Sequence, residues 1–113
     1  MAIYVNTDKP HVLVRYLRRL IREDEISAWI LDEDNDLTHA SAQWRGRAWI
    51  HPIIEDERVV FALIGTRNEP ITNLIYGIYM GRFLECLIIH MDRFFVSARI
   101  SSRPSIKYDV FIE

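Results

Sequence analysis

At 113 residues the chain has room for one domain and none for a second independent core. Half of it is hydrophobic and 27% is charged, which excludes a disordered chain, and the one cysteine, Cys86, excludes an intrachain disulfide framework. The net charge of −2 selects no partner, but Lys9 to Arg22 carries five basic residues and no acid, whereas Glu23 to Asp36 carries seven acids and no base.

Residues 2 to 5 read as a short strand. No basic or apolar leader segment opens the chain, so a reducing, cytoplasmic location is expected. Thr7 or Asp8 supplies an N-cap, with Pro10 in the first turn, where its missing N–H costs nothing. Leu13, Tyr16, Leu17, Leu20 and Ile21 then recur at helical spacing through Arg22. Opposite that apolar stripe, Arg15, Arg18, Arg19 and Arg22 fill a narrow arc. They are the candidate phosphate or nucleic-acid contacts, weighed against a solvated face neutralised by Glu23, Asp24 and Glu25.

Four short segments separated by turn signals follow. Ile26 to Leu31 alternates up to the polar turn Asp32 to Asp36, and Leu37 to Trp44 alternates up to Arg45-Gly46-Arg47. Ala48 to Ile54 leads to the charged turn Glu55 to Arg58, and Val59 to Ile64 ends at Gly65. This spacing predicts an antiparallel four-strand meander. Pro52 cannot donate to a ladder and is expected at a bulge or a non-bonded position.

Side chains alternate along a strand, so a register assigns the faces. Pairing Leu31 with Leu37, Trp44 with Ala48 and Glu55 with Arg58 predicts one apolar face. It holds Ile26, Ala28, Ile30, Ala40, Ala42, Ala48, Ile50, Val59, Phe61 and Leu63 beneath the helices. The opposite face collects Ser27, Trp29, His39, Ser41, Gln43, Trp49, His51, Val60, Ala62 and Ile64. Of these, Trp29, His39, Ser41, Gln43, Trp49 and His51 form the candidate ligand or interface group. It reads equally as an exposed sheet face or as a stacked subunit interface, and less readily as a platform for bases.

Thr66 to Thr72 reads as a loop, and Thr72 or Asn68 caps a second helix running to about Arg93. Apolar residues occupy most of its circumference, so it is expected to be covered on more than one side. Arg82 and Glu85 near its centre argue against a membrane span. Gly77 and Gly81 predict close packing on the sheet or first helix, ahead of a helix–helix dimer contact. Phe94 to Ile100 reads as a strand, 101 to 105 as a loop, and 106 to 113 as a possible terminal strand.

Several constellations are set aside. Asp32, Asp34 and Asp36 match the start of a calcium loop, but Leu37 and Gln43 stand where Gly and Glu are required. Cys86 and His90, one helical turn apart, lack a marked third metal ligand. His39 and His51 suit acid–base work, but no nucleophile or oxyanion hole is marked. No metal and no cofactor are therefore expected, and catalysis is not favoured.

The predicted architecture is an α+β two-layer sandwich with a mainly antiparallel sheet, in the order β-α-β-β-β-β-α-β with a possible extra strand. Both helices lie on one face. The function expected first is a cytoplasmic homo-oligomeric binding module, a homodimer using the Trp/His face, with a protein partner or small ligand. A ligand-binding or hydrolytic enzyme centred on His39 and His51 is the alternative, followed by nucleic-acid binding through the Arg-rich helix with Arg45 and Arg47. No membrane partner is expected.

Overall fold

The computed structural model describes residues 1–66 and 68–102, with the backbone of 111–112. The predicted loop at 101–105 is described only at Ser101 and Ser102, and most of the possible terminal strand lies outside the described residues.

The elements run β1 (Ala2–Asn6), α1 (Pro10–Arg22), β2 (Trp29–Leu31), β3 (Leu37–His39), β4 (Trp49–Glu55), β5 (Arg58–Thr66), α2 (Asn73–Met91), a 3-10 turn (Asp92–Phe94), β6 (Ser97–Ile100) and β7 (Phe111–Ile112). Six strands form an antiparallel sheet in the order β2-β3-β4-β5-β1-β6, and β7 pairs in parallel with the end of β5. This is the predicted α+β sandwich, with β1 inserted between β5 and β6.

Both helices cover one face. Ile3, Val5, Ile50, Val59, Phe61 and Leu63 point from the sheet toward Leu13, Leu17 and Leu20 of α1 and toward Tyr79, Phe83 and Leu87 of α2. In α1 the apolar positions recur every three to four residues and are the buried ones. Its N-cap position is Lys9, without a side-chain cap, rather than Thr7 or Asp8. Thr7 Oγ1 instead accepts from the Lys9 N–H and donates to the Phe94 carbonyl. Thr72 does cap α2, accepting from the Ile75 N–H at 3.2 Å.

Two hairpins keep the predicted register. Leu31 faces Leu37 and Trp29 faces His39, while Glu55 faces Arg58 and His51 faces Ala62. Pro52 faces Phe61 beyond the last pairing of β4 with β3, so β4 has a neighbour there on one side only. At Gly65 a Cβ would sit 2.7 Å from Ile71 Cγ1, so the bare backbone lets the loop after β5 fold back on it.

The middle hairpin does not keep its register. Leu37 faces Ile50, where the predicted pairing puts Glu55 opposite it. That slip of five residues is odd, so β2 and β3 turn over relative to β4 and β5. The chain from Ala40 to Ala48 leaves the sheet as turns instead of extending β3. One hydroxyl explains the departure. Thr38 Oγ1 donates to the Ala48 carbonyl and accepts from the Gly46 N–H, and it lies 3.2 Å from the Tyr79 hydroxyl. Tyr79 in turn donates to the Trp44 carbonyl, and Gly46 adopts φ 73°, so side chains close a loop where strand pairing was expected.

Candidate functional site

The predicted Trp/His face is dispersed by this slip. Trp29 turns inward and is 1% exposed, packed at 5.7 Å from the rings of both Tyr79 and Phe83. Its indole Nε1 has no hydrogen-bond partner among the described residues and lies in an aromatic surround. His39 follows it onto the helix-facing side, 5.3 Å from the Trp29 ring. Ser41 and Gln43 are exposed in the 40–48 loop, while Trp49 and His51 stay half-buried on the outer face. Ile30 leaves the predicted core face, and Ala28 and Ala42 are exposed. His39 and His51 belong to opposite faces, which excludes proton transfer shared between them.

Each histidine acquires its own setting. His51 Nδ1 lies 2.8 Å from Asp36 Oδ1, a carboxylate in the acidic turn that sequence patterning reads as solvated. Asp36 is buried because Asp32 Oδ1 accepts from both the Asp34 and Asp36 N–H groups and curls the turn inward. Burial raises the Asp36 pKa, opposed by the hydrogen bond and charge of His51, and the Asp32 and Asp34 charges raise it further. An imidazole held by a buried carboxylate is one half of a hydrolytic relay, but among the described residues no serine, threonine or cysteine side chain hydrogen-bonds to His51.

On the other side, Trp29, His39, Arg82, Glu85, Cys86 and His90 line a cleft of about 390 Å³ between β2 and the second half of α2. His39 accepts at Nδ1 from the Ser41 N–H, so its neutral form carries the proton on Nε2. Burial, and then the Arg82 charge, lower its pKa from the ordinary value. The stability consequence has a definite sign. The unfolded chain takes up this proton near pH 6.5 and the folded chain only at lower pH, so stability present above 6.5 is lost as pH falls toward the folded value. Asp36, with its raised pKa, works in the opposite direction, adding stability as pH falls through its folded value. Urea unfolding between about pH 7.5 and 5 should therefore show a flatter loss in His39→Gln than in the parent. An identical slope would assign the loss to other groups.

Among the described residues no group of three side chains is placed to hold a metal ion, although His39, Cys86 and His90 line the same cleft. Burial, with the Glu85 charge, pushes the Cys86 thiol up to about 12.

The four arginines of α1 also divide. Arg19 stacks over Tyr16 at 4.8 Å from the ring centroid, away from the rest. Arg15, Arg18 and Arg22 line one groove with His11, Val14 and Ile54. Arg45 donates to the Ala40 carbonyl, and Arg47 stacks over Trp44 and lies 3.8 Å from Glu69, so both brace the 40–48 loop locally.

The surface that sequence patterning ranks second is on α2. A Cβ placed on Gly77 or Gly81 would have nothing within 4 Å, so neither glycine serves close packing inside the chain. Leu74, Ile88 and Ile89 are 64%, 63% and 63% exposed on the same side of the helix. By length and composition α2 is also apolar enough to cross a membrane, although 44% of its most apolar window is buried against the rest of the protein. Compared with protein-family models, with curated proteins and with solved structures, the chain matches none of them.

Proposed function

We propose that the protein is a homo-oligomeric interaction module whose copies pair through α2 rather than through the Trp/His sheet face. The observation that carries this reading is the exposed stripe Leu74, Gly77, Gly81 and Ile88, whose two apolar ends stand at equal distances from Gly81. Leu74 and Ile88 stand seven residues to each side of it, and Ile78 and Leu84 stand three. An antiparallel pair with its twofold axis at Gly81 sets Leu74 of one copy against Ile88 of the other, and the glycines let the backbones approach.

The same register sets Glu85 of one copy against Gly77 of the other, where the missing side chain leaves room for the carboxylate at the seam. Covering the stripe also accounts for two glycines in an exposed helix interior, each costing about 1 kcal/mol relative to alanine.

Sedimentation equilibrium tests the reading. A dimer is expected at micromolar concentration, weakened at least about tenfold by Ile88→Glu and left intact by Trp49→Ala. A strict monomer would sink the proposal, and dissociation by Trp49→Ala alone would move the interface to the outer sheet face. Association only with lipid vesicles would make α2 a membrane-surface helix instead.

A further inference from the structure

The groove beside α1 holds three guanidinium groups without a counter-charge. Its volume is about 500 Å³ and its lining contains His11, Arg15, Arg18 and Arg22 with Val14 and Ile54, and no carboxylate. Arg18 Nε donates to the Asn35 carbonyl at 3.2 Å, and Arg22 donates to Asn35 Oδ1 at 2.9 Å. Both are thus oriented by a neutral residue, although acids stand on either side of Asn35 in the sequence. Among the described residues Arg15, Arg18 and Arg22 have no ion pair, and Arg15 has no hydrogen-bond partner.

Like charges three and four residues apart on a helix repel, so this stripe costs the folded protein stability while it stands empty of anions. A guanidinium carries five N–H donors in a planar fork, and one bond to Asn35 leaves most of them for a ligand. Holding two of the three side chains in place beforehand removes part of the entropy cost of binding.

We propose that this groove binds a small ligand bearing a diphosphate or an equivalent pair of phosphate groups. The spacing decides the class. Arg15 and Arg22 stand two turns apart, roughly 10 Å along the helix axis, with Arg18 between them. A lone phosphate is too short to engage all three, while a diphosphate with its bridging oxygen and terminal oxygens reaches across the set. The groove falls within the size range of small-molecule sites, about 300–1,000 Å³. A long nucleic-acid strand fits less well. The groove offers no Phe, Tyr or Trp ring for base stacking, and the acidic turn beside it repels an extended polyanion. Arg19, turned over Tyr16, takes no part.

Isothermal titration with pyrophosphate, inorganic phosphate and a mixed-sequence single-stranded oligonucleotide, at matched ionic strength, tests the assignment. Saturable pyrophosphate binding is expected, tighter than that of inorganic phosphate and weakened at least about tenfold in Arg15→Gln. Because Arg15 makes no contact that holds the fold, the variant should melt at the parent temperature without ligand, and it keeps the α2 face intact. No saturable pyrophosphate binding, or binding indifferent to Arg15→Gln, would overturn the proposal. Oligonucleotide binding tighter than pyrophosphate and falling steeply with salt would overturn it in favour of a nucleic-acid surface.

Discussion

Trp29→Ala is expected to lower the unfolding free energy by about 3–5 kcal/mol, the range for truncating a large buried aromatic. Trp29 is the largest fully buried side chain, wedged edge-on among Tyr79, Phe83 and His39. Its strand β2 has three residues and, among the described residues, pairs only with β3, so the indole does much to fasten the edge of the sheet to α2. Alanine leaves a cavity that rigid neighbours on two elements cannot close. Trp29→Phe should cost less, about 1–2 kcal/mol, because it keeps the ring contacts and removes an indole N–H that has no acceptor among the described residues. Urea unfolding followed by circular dichroism measures both. A loss below about 1 kcal/mol for Trp29→Ala would return the side chain to the outer face, where period-two patterning puts it.

The second large effect is chemical. Cys86 should react with a thiol reagent at least about a thousandfold more slowly in the native protein than in urea at mildly alkaline pH. Only the thiolate attacks, and with the thiol pushed up to about 12 its ionised fraction is minute. The side chain is also nearly closed to solvent at the cleft floor. Equal rates in the two states would show a cleft that opens readily. Slow native reaction removes Cys86 from consideration as a nucleophile, whatever His90 does one turn away.

What the sequence made legible follows from local rules. Both helices and the outer two hairpins obey simple periodicities, with turns marked by Asp, Asn and Glu at left-handed φ such as Asn35 and Glu57. Alternation from Leu37 to Trp44 continues past the point where the strand stops, because a side-chain hydroxyl can replace a ladder without disturbing any pattern. Thr38 does this, and its partners Gly46, Ala48 and Tyr79 lie up to 41 residues away from it in sequence. The candidate Trp/His group failed with that one hairpin, since an odd slip carries Trp29 and His39 inward while His51 stays outside. The α1 arginines were legible as an arc, but the division between Arg19 and the other three depends on Tyr16 and Asn35, which periodicity does not connect. The exposed face of α2 was hidden by its composition: a helix apolar all round reads as buried all round.

The position of β1 has a consequence for how the chain is made. This strand leaves the ribosome before the other described elements yet lies between β5 and β6, which end 60 and 94 residues after it. At typical elongation rates of about 5–20 residues per second, Ala2–Asn6 waits several seconds for its first neighbour and longer for its second. The first tertiary structure available to the nascent chain is therefore α1 against the meander, with a strand-wide gap held open at its border. β1 can close that gap once β5 is made, ahead of β6, which pairs on its far side; until then the edge of β5 is where newly made copies are most exposed to one another.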